Sequence, residues 1–337
     1  MSLYKTELRR LRKRRFVRYL TLAGLLILLA VAAGTFLTNQ KIGPAQRAAA
    51  EQEAQAQYQE SVRGAEQFKK ECQQAKAAGS KDDHFPSDCE QITPPTQDSF
   101  QAAWFMPATF DFRGKFEVMI TAFAGILALV AFAAGASFVG AEWNTGGMMN
   151  LLLWRPQRLK VLLIKLGALL SATLGVTVLA AAAWTGIFWL IANLRGSTEK
   201  MTSGVWQSFG LTGLRGVALV LVAGIVGFAL ASLGRNTALA LGGALGVAVV
   251  GQFGLGILLS MANVKFTEAY LLPTYLLAWM QKKIELQNWN SCNASYSGEC
   301  KPETFEITWQ MSSTLLVVGV VLTLGAAMWT MRRRDIT

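Results

Sequence analysis

The sequence predicts an all-α, polytopic membrane protein with six transmembrane helices, both termini cytoplasmic, and a helical extracytoplasmic insertion between helices 1 and 2. Three observations carry this expectation. Charged residues make up only 16% of the 337-residue chain and hydrophobic ones 52%, whereas a soluble globule carries roughly 25% charge. The apolar residues gather into six long runs, 19–38, 116–139, 162–192, 213–233, 237–261 and 311–331. Each is long enough to cross a hydrocarbon core of about 30 Å at about 1.5 Å rise per residue. Third, basic residues are unevenly spread. Six spans put both termini on one side, and placing them inside gathers 16 Lys and Arg there against only Glu7, Glu142 and Asp335. The other side then holds 16 basic and 18 acidic residues in much longer segments, which is the positive-inside pattern. The net charge of +11 therefore reflects topology and attraction to anionic lipid, and it calls for no nucleic-acid partner.

The elements follow in order. Residues 1–18 predict a basic amphipathic helix at the inner membrane surface, with Leu3, Leu8, Leu11 and Phe16 as apolar anchors among six Lys and Arg between Arg9 and Arg15. The first apolar run, 19–38, is too long for a signal-peptide core and ends without a small-residue cleavage pattern, so it is expected to stay as a span. In the insertion, 39–115, the stretch from Pro44 to Ala78 is rich in Ala, Gln and Glu and predicts a helix or a helical pair. The segment 82–95, with Pro86, Pro94 and Pro95, predicts irregular chain. The inner segment 140–161 and the outer loop 193–212 are short, and 234–236 predicts a tight hairpin. The last outer segment, 262–310, carries an apolar stretch interrupted by Pro273, with Tyr270, Tyr275 and Trp279, which predicts short helices at the outer interface. Residues 332–337 form an inner tail.

All four cysteines, Cys72, Cys89, Cys292 and Cys300, fall in the outer segments. An even number confined to one side suggests an oxidising compartment and two disulfides, most simply Cys72–Cys89 and Cys292–Cys300. Their spacings lack the short pairs of a zinc site, so no metal is expected. Asn293-Ala294-Ser295 matches a glycosylation acceptor, a pattern short enough to arise by chance.

Several chemistries are excluded by what is missing. There is no G-x-x-x-x-G-K-[ST] loop, so no P-loop ATP site. A single histidine, His84, rules out paired-histidine metal sites and leaves it an ordinary solvated side chain beside Asp82, Asp83 and Asp88. No catalytic residue is expected. The spans are poor in ionisable groups, unlike those of ion-coupled pumps. Arg215 sits near the outer end of span four, where it can snorkel. Gln252 is the most central strongly polar residue, read as an interhelical hydrogen bond in preference to a substrate contact. Gly242, Gly243, Gly246, Gly251, Gly254 and Gly256 predict close helix packing, within the bundle or against a second chain.

The most informative stretch lies between spans two and three. Glu142 is followed by a small-residue turn at Thr145-Gly146-Gly147, an apolar run 148–154, then Arg155-Pro156, Arg158 and Lys165. This predicts a short amphipathic helix at the membrane surface, with Glu142 as a cap or ion-pair partner and Arg158 and Lys165 anchored to lipid phosphates. Pro156 ends one helix and helps start the next. The plainer reading is a simple re-entry loop.

The same residues resemble the signature of ABC-2 type transporter permeases: a Glu, a Gly-Thr pair, two leucines, a Pro, then a basic residue and a Lys entering the third span. Glu142, Gly146, Leu151-Leu152, Pro156, Arg158 and Lys165 stand at matching places, with Gly147 where Thr or Ser is more usual. The large insertion 39–115 is not a general feature of that family. The resemblance implies the membrane subunit of an exporter, paired with a second permease copy or paralogue and driven by two separate ATP-binding subunits. ATP-Mg would be bound by those partners, and this chain would hold no cofactor. The ATPase-coupling residues it implies are Glu142, Thr145, Gly146, Arg155, Pro156, Arg158 and Lys165, aided by residues 2–18. A different class also fits the topology: a non-transporting signalling or scaffold protein with an extracytoplasmic binding domain.

Overall fold

Leu3, Glu7 and Leu11 recur every fourth position, which stacks them on one helical face. They lie on α1 (Leu3–Lys13), the first element of a computed structural model that describes residues 3–78, 86, 88–154, 157–288 and 302–333. Arg155, Pro156, His84, Asp82, Asp83, the expected Cys292–Cys300 pair and the acceptor at 293–295 lie outside the described residues. After a corner at Arg14 comes α2 (Arg15–Thr38), then α3 (Pro44–Ala77) and the single turn α4 (Ala102–Phe105). The short strand β1 (Phe110–Asp111) leads into α5 (Phe112–Asn144), α6 (Gly147–Trp154) and α7 (Arg158–Arg195). Strand β2 (Gly196–Ser197), α8 (Ser203–Gly234) and α9 (Thr237–Gly246) follow. A π-helical stretch, Val247–Gly254, joins α9 to α10 (Leu255–Met261). The chain then runs through α11 (Leu272–Gln281), β3 (Lys283–Asn288), β4 (Glu303–Thr308) and α12 (Trp309–Arg333).

Among the described residues, six helical stretches are long and apolar enough to cross a membrane: α2, α5, α7, α8, the continuous Thr237–Met261 and α12. They coincide with the six apolar runs of the sequence. The helices overshoot those runs, however: α5 continues past the apolar run to Asn144, so Glu142 sits on its last turns rather than in a loop.

Two compact units divide the chain: Met1–Ala32, Arg113–Phe188 and Glu199–Thr337 in one, Ala33–Phe112 and Trp189–Thr198 in the other. In the second unit the Ala/Gln/Glu-rich stretch is one helix of 34 residues, not a pair. Pro44 occupies its first turn, where a missing N–H costs nothing, and Gln46 accepts from the Gly43 N–H at 3.0 Å. Its end is clipped by the Cys72–Cys89 disulfide and by a 2.6 Å Lys69–Glu90 ion pair. Tyr58 meets Phe100 edge-on at 5.9 Å, and β1 pairs in parallel with β2.

In the first unit α5 and α8 approach closely. A Cβ on Gly227 would run into the Phe132 carbonyl, and beside it Phe228 is fully buried. Near the other end of these helices an aromatic cluster fills the space between α5, α7 and α8. Trp184 meets Phe188 at a tilt with ring centroids 4.6 Å apart, Phe116 meets Phe209 at 5.2 Å, and the Trp184 indole donates to the Met119 carbonyl at 3.2 Å. Arg215 is half-buried, 5.8 Å over the Trp309 ring.

Of the two expectations for the glycines of the fifth span, packing within the bundle does not hold for four of them. Cβ atoms on Gly242, Gly243, Gly246 and Gly254 would meet nothing within 4 Å, so these residues make no close helix contact inside the chain. Ala240 is the one buried residue of Thr237–Met261. Gln252 does make a hydrogen bond between helical elements: its Oε1 accepts from the Leu272 N–H at 2.6 Å, satisfying an orphan donor at the start of α11. Pro273 starts that helix, and the 3-10 helix Thr267–Tyr270 stands before it, so the apolar stretch is divided there into two short helices. Beyond α11 the expectation of short helices gives way to an antiparallel ribbon, β3 with β4, from Lys283↔Thr308 to Asn288↔Glu303. Its alternation of Ile284, Leu286 with Lys283, Glu285 carried that signal in the sequence.

Candidate functional site

The segment singled out in the sequence folds around a buried ionic cluster. Burial of a charge is tolerated only when partners replace its water, and here each carboxylate oxygen has one. Lys165, on the first turns of α7, is fully buried, and its Nζ donates to Glu7 Oε2 and Glu142 Oε2, both at 2.6 Å. Glu142 Oε1 accepts from Arg14 at 3.1 Å, and Glu7 Oε1 from Arg10 at 3.3 Å. Arg14, at the corner between α1 and α2, also donates to the Ser137 carbonyl at 2.6 Å. The Phe138 ring lies 5.4 Å from the Arg14 guanidinium and 5.1 Å from Lys165 Nζ, so its electron-rich face adds to the cation binding. Burial pushes the Arg14 pKa down, and Glu142 and Glu7 pull it back up; an arginine stays protonated throughout.

Three elements meet at this cluster: α1 through Glu7, the end of α5 through Glu142 and the start of α7 through Lys165. Lys165 is thus not on lipid phosphates, as its place at the membrane boundary had suggested. It is the hub of the buried network. Glu142 is an ion-pair partner and not a cap.

The chain between these anchors makes a sharp reversal. Thr145 Oγ1 donates back to the Ala141 carbonyl at 3.0 Å, closing α5. Gly146 has φ +70, the left-handed conformation that glycine adopts without penalty, and its carbonyl takes the Asn150 N–H at 3.1 Å. The helix α6 then lies with two faces. Met148 and Leu152 are buried, in a core with Leu11, Phe138, Val139 and Leu162. On the opposite face Leu153 is 79% and Trp154 87% exposed. Arg158 reaches across to the end of α12, donating to the Met331 carbonyl at 3.4 Å.

Of the residues the sequence pointed to, Glu142 and Lys165 are therefore brought into contact, Thr145 and Gly146 shape the turn, and Arg158 ties α7 to α12. Among the described residues there is no His/Cys/Asp/Glu group that could hold a metal ion. The cluster also contains residues the sequence reading passed over: Glu7, Arg10 and Arg14. Glu7 left a signal, since it is the only acid in a strongly basic stretch and shares the apolar face of Leu3 and Leu11.

The arrangement is mechanical rather than catalytic: a clamped base carrying a short helix with an apolar outer face. The family model described as ABC-2 family transporter protein matches residues 1–334. The chain belongs to the ABC-2 family. It is accordingly a multi-pass membrane protein and the transmembrane, non-catalytic permease component of an ABC transporter. No curated protein and no solved structure matches it. For an ABC-2 permease the cluster has a plain consequence: α1, α5 and α7 are held together where the surface helix α6 emerges.

Proposed function

We propose that this permease is half of an exporter in a cell (plasma) membrane, powered by two copies of a separate ATP-binding subunit and completed by a second permease copy or paralogue. Its termini and α6 face the cytoplasm, consistent with the basic residues gathered there, and 39–115 and 262–310 lie outside, consistent with a disulfide at Cys72–Cys89. The cargo is a drug, lipid, peptide or polymer.

One observation carries the coupling assignment. The apolar face of α6, Leu153 with Trp154, stands in the open on an element whose base is fixed by Glu142 and Lys165. A push on that face is transmitted to α5 and α7 together, because Lys165 and Glu142 join them, and to α1 through Glu7. ATP-driven closure of the partner subunits then shifts the population between inward- and outward-facing states. Thr145 and Gly146 set the angle of α6, Arg158 holds α12 to α7, and Arg155 and Pro156 complete the coupling segment in sequence.

The test is co-assembly with the ATP-binding subunit. The wild-type chain should retain that subunit through detergent purification. Leu153→Glu with Trp154→Glu should weaken retention roughly thirtyfold or more, the scale of losing an aromatic anchor, with thermal stability unchanged. Retention unaffected by the pair would refute the assignment. A wild-type chain that never associates with the subunit would favour a signalling or scaffold role.

A further inference from the structure

A cavity of about 1140 Å³ opens beside the ionic cluster, wholly within the first unit, between α1, the start of α2, α5 and α7. It is larger than the roughly 300–1,000 Å³ of ordinary small-molecule pockets. Its character changes along its length. At the mouth stand Arg9, Arg12 and Arg18, all exposed, and among the described residues none of the three is in an ion pair. Arg10 and Arg14, by contrast, are committed to Glu7 and Glu142. Deeper in, the walls are Leu127, Val130, Ala134, Leu169, Val176 and Leu179. Among the described residues no Asp or Glu lines the cavity. Hydroxyls are interspersed along these walls at Thr21, Ser171, Thr173 and Thr177, and Tyr4 donates to Ser171 Oγ at 2.5 Å, bridging α1 and α7.

The dimensions match one leaflet. On α7 the lining runs from Leu169 to Leu179, about 15 Å at about 1.5 Å per residue, which is half of a hydrocarbon core of about 30 Å. Three cations at the membrane surface above an apolar channel one leaflet deep present the chemistry of a lipid that is anionic at its head and hydrocarbon below.

We propose that this cavity binds a single anionic phospholipid of the leaflet on the basic side, its phosphate on Arg9, Arg12 and Arg18 and an acyl chain along α7. A zwitterionic choline head finds no carboxylate at the mouth, so the site selects for net negative charge. The bound lipid sits against α1, which brings Glu7 into the ionic cluster, so occupancy holds α1 in place.

The experiment uses the full chain in neutral detergent, titrated with dioleoylphosphatidylglycerol or dioleoylphosphatidylcholine and followed by native mass spectrometry. The expected result is one phosphatidylglycerol adduct per chain, retained at least about tenfold more tightly than phosphatidylcholine. Replacing Arg9, Arg12 and Arg18 together by Gln should weaken it on the order of a hundredfold, roughly a factor of five for each cation. Gly175→Leu tests the channel separately: a Cβ there meets nothing within 4 Å, so the larger side chain fills the cavity without a clash and should abolish the adduct with the charges intact. Equal retention of the two lipids, full retention by Gly175→Leu, or displacement by inorganic phosphate would each overturn the proposal. Wild-type protein with an acyl-diazirine phosphatidylglycerol needs no variant. Its crosslinks should fall on 127–134 and 169–179, and crosslinks confined elsewhere would contradict the site.

Discussion

Lys165 shows how a single charge can organise three helices. Two carboxylates from distant parts of the chain converge on its buried Nζ, and a buried charge stripped of its partners is far more costly than the pair is stabilising. Lys165→Met therefore leaves Glu7 and Glu142 short of a cation and should cost about 3–5 kcal/mol, read as a lowered Tm of the detergent-solubilised chain. Adding Glu7→Gln removes one stranded carboxylate and should recover part of that loss, a coupling of about 0.5–3 kcal/mol in a double-mutant cycle. Purely additive effects would mean that the two side chains do not meet. Glu142 and Lys165 were legible in the sequence because charges bordering apolar spans stand out. The meeting of Lys165 with Glu7 was not, since nothing in a one-dimensional pattern pairs a residue with another 158 positions away. Glu7 was hidden by its basic neighbours, whose positive-inside role drew the whole segment toward the lipid surface.

At the scale of elements, close approach of α5 and α8 depends on a missing side chain. Gly227→Leu should force these helices apart at Phe132 and cost about 1–3 kcal/mol, seen as a lower unfolding midpoint, while Gly243→Leu, facing open space, should leave it unchanged. In the second unit the disulfide closes a loop of 17 residues in separation, worth about 3 kcal/mol on the chain-entropy account. Non-reducing peptide mapping should recover Cys72 linked to Cys89, and Cys72→Ser should raise hydrogen exchange in the last turns of α3. Free thiols at both positions would contradict the fold drawn here. The apolar runs announced all six spans because length and hydropathy act locally. The β3–β4 ribbon was overlooked because the apolar stretch before it suggested continued helix, although the residues alternate with the period of a strand. Pro273 was legible: a short 3-10 helix, Thr267–Tyr270, precedes it and α11 carries it in its first turn, because proline suits a helix's first turn and not its interior.

For the whole molecule, the single chain leaves one span unfinished. Thr237–Met261 buries only Ala240, and four of its glycines, Gly242, Gly243, Gly246 and Gly254, face open space, so its apolar surface is left to lipid or to a second chain. The opposite is true of the basic face, where α1, α5, α6, α7 and α12 are tied by ion pairs and a shared core. That contrast underlies the account's central claim: a rigid basic face receives the partner's motion through α6 and passes it to the spans. The most direct test places a photo-crosslinking amino acid at Trp154 in cells that also express the ATP-binding subunit. The account predicts a specific adduct with that subunit, whose yield changes when ATP hydrolysis is blocked. Adducts only with lipid or with the permease itself, and none with the ATP-binding subunit, would contradict it.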